Sequence, residues 1–217
     1  MNLDREAGFS DRDVEVLEDR LAYDGFFKIR QLTLRHRLFA GGWGVPLSRE
    51  LFQRHEAVGV LLYDPVRDEV ALVEQFRVGT LHRGGRTNAW GEPFAGPWLL
   101  ELVAGLIDAE EAPAEVGRRE ALEEAGCEIS TLEPICSYFS SPGGSDEFFY
   151  LYCGRCDLSG AGGIHGLAEE GEDIRVHVLP VERAFTLLAD NRIGNAHTLI
   201  ALLWLQSNRE RLREQWR

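Results

Sequence analysis

The stretch from Gly105 to Cys127, GLIDAEEAPAEVGRREALEEAGC, restricts the possible folds of this chain more than any other part of it. Asp108, Glu110, Glu111 and Glu115 come first, then Glu120, Glu123 and Glu124. Glu111-Ala112-Pro113 reads as a helix entry, with proline at the first helical position, where its missing N–H costs nothing. Gly126 stands where a left-handed residue would close the helix. At about 100° per residue, Glu120, Glu123 and Glu124 share one side, while Ala114, Ala121, Leu122 and Ala125 share another. The alanines predict a helix lying close against a sheet. Carboxylates at i, i+3 and i+4 repel one another by a few tenths of a kcal/mol per pair, and no lysine occurs in the stretch. Hard oxygen donors of this kind suit Mg²⁺ or Mn²⁺. Acid density alone fits a solvated helix face equally well.

With 217 residues, 44% of them hydrophobic and 27% charged, the chain can bury a good core. A net charge of −13 argues against a nucleic-acid backbone or an anionic membrane as partner. It also means that a phosphate substrate needs bound metal and a few placed arginines to approach. No apolar run reaches the roughly 18 residues of a membrane span. The charged start, MNLDREAGFSDRDVEVLEDR, has no signal-peptide core, and the expected location is cytoplasmic. Cys127, Cys136, Cys153 and Cys156 fit that compartment as reduced thiols. Cys153-Gly-Arg-Cys156 is a lone CxxC after the apolar run FFYLY, read as buried strand thiols rather than a zinc or redox motif.

From Val14 to about Phe39 the chain favours strands, and Ala40-Gly-Gly-Trp-Gly44 is a turn signal before a further strand from Val45 to Arg54. This antiparallel unit, residues 1–54, is too small to bury much surface by itself and needs something to pack on, such as a second subunit. From 55 to 217 a second domain is expected. Strands fall at Ala57–Tyr63 and Glu69–Phe76, a long Gly/Pro-rich loop at 79–97, and a strand at Trp98–Val103 leads into the acidic stretch. Thr131–Phe139 and Glu147–Cys156 read as strands around the loop Ser140–Ser145, and a Gly-rich acidic stretch at 159–173 precedes the strand Ile174–Leu179. Helices at Val181–Asp190 and about Ala196–Glu214, the second capped by Asn195, finish the chain. Strands with helices before and after predict an α/β fold, a mixed sheet covered on both faces.

Gly105, Glu111 and Arg119-Glu120-Ala121-Leu122-Glu123-Glu124-Ala125-Gly126 resemble the Nudix box position for position, with Ala121 and Cys127 where bulkier aliphatics are usual. Beyond the box, DGFFKI, LRHRLF, YDPVRDEVALVEQFR, PWLLELVAG, SPGGSDE and GIHGLAEEGEDIRVHV resemble the bacterial ADP-ribose pyrophosphatases among Nudix hydrolases, apart from an extra loop at 80–95. The resemblance implies a Nudix-type α/β/α sandwich, Mg²⁺ with Mn²⁺ as substitute, and hydrolysis of ADP-ribose by a homodimer, with a domain-swapped arrangement among those it allows.

Carried over residue by residue, the resemblance makes Glu120, Glu124, Glu172 and the carbonyl of Ala104 the metal ligands. Glu170 becomes the general base, and Glu123 orients a metal through water. Arg119 pairs with Glu111 to hold loop against helix. Arg54 and Arg77 lie near the phosphates, with Leu106, Ser141, Pro142 and Gly143 along the ribose. Phe26 and Phe27 stack on adenine, joined by Arg49, Glu50 and Glu147, partly from the other subunit. Taken singly, Phe26 and Phe27 would read as core residues and the arginines as surface charge. None of the six histidines has ligand-like spacing.

Overall fold

The computed structural model describes residues 8–216 apart from 84, 94, 95 and 109, with Glu170 described in its backbone alone. Two compact units result: Met1–His55 with Phe139–Glu147, and Glu56–Tyr138 with Phe148–Arg217.

The first unit is an antiparallel sheet of β1 (Val14–Asp24), β2 (Lys28–His36) and β3 (Leu47–Gln53), in that order. Register breaks at Val16/Glu18 and Leu21/Tyr23 interrupt the alternation of β1. Val16, Leu17, Leu21 and Tyr23 are all exposed. Three strands with no covering layer cannot bury both faces. The loop before residue 148 joins this unit, with Phe52 N–H donating to the Gly144 carbonyl at 2.8 Å.

In the second unit, β4 (Ala57–Asp64) is buried at every position, as a central strand covered on both faces must be. It forms a hairpin with β5 (Glu69–Phe76) only over Leu62–Asp64. Beyond that the arms part, and β6 (Trp98–Glu101) pairs with β5 while β7 (Val103–Leu106) pairs with β4. The strand expected at Trp98–Val103 is therefore two, broken at Leu102. The break is pinned by the second half of the chain: Leu102 N–H donates to Thr198 Oγ1 at 3.0 Å, and Asn195 Nδ2 donates to the Leu100 carbonyl at 2.9 Å.

After α1 (Pro113–Ala125) come β8 (Thr131–Phe139), β9 (Phe148–Arg155), β10 (Gly163–His165), β11 (Ile174–Pro180), α2 (Val181–Ala189) and α3 (Ala196–Gln215). The sheet runs β10-β11-β5-β4-β9-β8, and β4 is parallel to β9 but antiparallel to β5. The acidic segment 159–173 is thus not all loop, because β10 adds an edge strand to β11.

Alternate residues of β4 serve two cores. Val58, Val60 and Leu62 pack with Val116, Ala121 and Ala125 of α1. Ala57, Leu61 and Tyr63 pack with Ala184 of α2 and Ala201, Leu202 and Leu205 of α3. Each such leucine contributes on the order of 1.5–3 kcal/mol through burial. The result is helix, mixed sheet, helix: the α/β/α sandwich expected.

Candidate active site

The helix α1 has Pro113 in its first turn and ends at Gly126, whose φ of 63° is left-handed. Its buried face is Val116, Gly117, Ala121, Glu124 and Ala125. Two side chains lie elsewhere than periodicity suggested. Leu122, expected with the alanines, is 55% exposed, while Glu124, grouped with the acids, is 2% exposed. The helix turns a carboxylate inward because glycine and alanine bring it close to the strands. A Cβ at Gly117 would meet Val60 Cγ2 at 2.8 Å, and one at Gly105 would meet Glu120 Oε1 at 1.9 Å. Gly105 on β7 thus supplies the space that the Glu120 carboxylate occupies.

Glu124 Oε2 accepts a hydrogen bond from Ala104 N–H at 3.0 Å, which leaves the Ala104 residue beside the carboxylate. Burial pushes the Glu124 carboxyl up to about 8, with the charges of Glu120 and Glu172 adding to it and the Ala104 N–H opposing. Burial likewise pushes Glu120 up to about 6, against Arg119 and with Glu123 and Glu172. Glu172 reaches this neighbourhood from the loop after β10, its Oε2 held by Leu167 N–H at 3.0 Å. Gly166, at φ +98°, makes that loop possible, since a Cβ there would meet Glu172 Cβ at 2.8 Å. Gly166 N–H also donates to the Glu123 carbonyl at 3.4 Å, tying loop to helix.

Arg119 is not paired with Glu111 alone. It lies 3.8 Å from Glu111 but 2.9 Å from both Glu120 and Glu123, so one guanidinium answers three carboxylates. Among the described residues, no three His, Cys, Asp or Glu side chains are drawn closely enough together to form a metal cage. What is present is a buried set of oxygens with raised proton affinity, one backbone carbonyl strand beside them and a loop carboxylate within electrostatic reach. That donor set fits a hard divalent cation. The side chain of Glu170 lies outside the described residues.

Two polar residues of this region escaped the sequence reading. Glu101, 3% exposed, accepts from Arg77 Nε at 2.7 Å and fixes its guanidinium. Burial raises the proton affinity of Glu101, and the Arg77 charge opposes that rise. The signal was available: a lone carboxylate inside the apolar run WLLELV. Gln75, two residues before Arg77, is 7% exposed, and its buried Nε2 has no hydrogen-bond partner among the described residues. Leu106 ends β7, half-buried against the α3 core.

In the first unit, Phe26 is 77% exposed at the β1–β2 turn and meets Phe27 edge-on at 4.7 Å. The Arg54 guanidinium lies 4.5 Å over the Phe27 ring and pairs with Glu147 at 2.9 Å. Arg54 Nε is buried without a partner among the described residues. Arg49 and Glu50 are exposed on β3, and Ser141, Pro142 and Gly143 form an exposed turn. The structure thus gathers Glu120, Glu123, Glu124, Glu172, Ala104 and Arg77 in one unit, and Phe26, Phe27, Arg54 and Glu147 in the other.

Comparison with known proteins places these observations. The NUDIX domain family matches residues 53–202. The ADP-ribose pyrophosphatase of Haemophilus influenzae is 41% identical over 209 residues, covering 96% of this chain and 93% of the relative. The GDP-mannose pyrophosphatase of Salmonella typhimurium is 30% identical over 197 residues, covering 90% and 96%. A crystal structure of an ADP compounds hydrolase superposes with a TM-score of 0.68 at 20% identity, covering 96% of this chain and 98% of that one, a likeness of fold.

Proposed function

Because the chain belongs to the NUDIX domain family, we propose that it hydrolyses the diphosphate bond of ADP-ribose, giving AMP and ribose 5-phosphate. The observation that carries this reading is the inward-facing carboxylate pair Glu120 and Glu124, within electrostatic reach of Glu172. Residues so placed would hold Mg²⁺, with Mn²⁺ as substitute, together with the Ala104 carbonyl. When bound, the ion would neutralise the diphosphate and make a coordinated water acidic enough to attack.

The chain's own groups do the rest. Arg77 spends its Nε on Glu101, which leaves the two terminal nitrogens of the fork for phosphate oxygens. Glu170 is the proposed base that takes the proton of the attacking water, and a loop is a suitable carrier because it can close over substrate. Glu123, held by Arg119, orients water at the carboxylate cluster. In the first unit, residues 1–54 of the proposed dimerisation and adenine module, Phe26 and Phe27 offer exposed aromatic faces for stacking. Arg49, Glu50 and Glu147 would recognise the base, Arg54 the phosphates, and Leu106, Ser141, Pro142 and Gly143 the ribose side. A cytoplasmic homodimer completes the proposal, since β1 leaves an apolar face for a second subunit to cover.

The test is a panel of nucleoside diphosphate sugars and dinucleotides in Mg²⁺ with product analysis. ADP-ribose should lead by at least tenfold in kcat/KM, with AMP released. A preference for GDP-mannose would instead align the chain with its 30% identical relative. Tight binding without turnover would overturn the hydrolase reading.

A further inference from the structure

The CxxC pair is not a pair. Cys153 and Cys156 stand three residues apart at the end of β9, and a separation of three in extended chain puts side chains on opposite faces. Cys153 is buried in the core beneath α3, whereas Cys156 is buried in the core beneath α1. The thiol that shares this core with Cys156 belongs to Cys127, which follows the glycine cap of α1. Cys127 and Cys156 belong to the same apolar cluster and line one cavity of about 690 Å³, and the segment after Cys127 is tied to the end of β9 by Ser130 N–H, which donates to the Arg155 carbonyl at 2.9 Å. That cavity is bounded also by the β4–β5 turn at Asp64–Arg67 and by Arg155 and Asp157. Among the described residues both sulfurs face carbonyls: Cys127 Sγ donates to Ala125 O at 3.3 Å, and Cys156 Sγ lies 3.8 Å from Gly154 O and 3.9 Å from Tyr63 O. Neither has a role in the hydrolytic machinery.

We propose that Cys127 and Cys156 are a redox pair which closes to a disulfide on exposure to hydroperoxides, joining the end of α1 to the end of β9. The chemistry balances with one peroxide per bond. Cys127 sulfur attacks a peroxide oxygen, the O–O bond breaks, and a sulfenic acid and an alcohol (or water) form. Cys156 sulfur then attacks the Cys127 sulfur, the S–O bond breaks, and water leaves. Two thiols are oxidised, the peroxide is reduced, and the two thiol hydrogens end in the alcohol and water. The balance is the same whichever of the two sulfurs attacks the peroxide first. The cavity that both cysteines line is the oxidant's route in.

The bond would cross-link the far end of the helix that carries Glu120 and Glu124. Closing a chain segment between residues 127 and 156 restricts the unfolded state, so the oxidised protein should melt several degrees higher than the reduced one. In the experiment, the folded full-length chain is treated with limiting hydrogen peroxide. Remaining thiols are then alkylated in denaturant, and peptides are mapped by mass with and without reductant. The expected result is a reductant-sensitive peptide joining Cys127 to Cys156, with Cys153 alkylated. It should be lost in Cys156→Ala and kept in Cys136→Ser. Full alkylation of both Cys127 and Cys156 where exposed Cys136 has oxidised would overturn the proposal. So would over-oxidation of Cys127 with no cross-link. The wild-type arm decides the matter even if a buried substitution fails to fold.

Discussion

Glu124 keeps a carboxylate at 2% exposure with a single backbone N–H as hydrogen-bond donor, and the resulting preference for the protonated form has consequences at the level of the residue. Its carboxyl sits at about 8 and that of Glu120 at about 6, against an ordinary 4.5. Without metal, the folded state holds these protons while the unfolded chain has released them. Stability should therefore fall as pH rises from about 4.5 toward 8, by up to several kcal/mol. A saturating divalent cation displaces the protons and favours the ionised carboxylates, so the slope should largely vanish above about pH 5. Thermal unfolding from pH 5 to 8.5 in EDTA and in Mg²⁺ checks this, and parallel curves would contradict it. Glu124→Gln retains an acceptor for Ala104 N–H but removes the charge. Turnover should drop by more than about 100-fold, the scale on which even outer-shell partners of a metal matter, while the metal-free protein becomes more stable at pH 8. Glu101→Gln should raise KM more than it lowers kcat, because Arg77 loses its anchor and not its charge.

At the scale of the element, α1 is positioned by two glycines that act differently. A methyl at Gly117 meets Val60, a branched strand residue with nowhere to turn, so Gly117→Ala should force helix from sheet and cost about 1–3 kcal/mol of stability. A methyl at Gly105 meets the far end of Glu120, a flexible side chain that can swing aside. Gly105→Ala should leave the melting temperature nearly unchanged and still remove most activity. Measuring both properties in both variants tests the distinction, which fails if the two substitutions behave alike. The helix ends were legible in advance, because Pro113 and Gly126 have local conformational requirements. The break at Leu102 was not, because Thr198 and Asn195 impose it from almost a hundred residues away.

For the molecule as a whole, the first unit presents Val14, Val16, Leu17, Leu21 and Tyr23 along one exposed strand. That much apolar surface on a three-stranded sheet is a face to be covered. Light scattering should return twice the chain mass, and the melting temperature should rise with protein concentration. A concentration-independent monomer would refute the proposed dimer. Val16→Glu together with Leu21→Glu should dissociate the dimer without disturbing the two cores of the second unit.

Sequence alone determined those features whose causes are local or periodic. The acid-rich helix with its proline and glycine ends, the buried strand Ala57–Tyr63 and the two terminal helices all announce themselves within a few residues, and the box pattern names the family. Tertiary structure decided what depends on approach between distant segments. Periodicity sorts residues around a helix axis but does not say how close the neighbouring strand comes, so it could not turn Glu124 inward and Leu122 outward. Nor could spacing reveal that Arg77 is held by Glu101, or that Cys156 shares its core with Cys127 instead of its neighbour in the CxxC. In each case the deciding quantity is a distance across the fold, and for α1 the close approach of Gly117 to β4 and of Glu120 to Gly105 on β7 sets it.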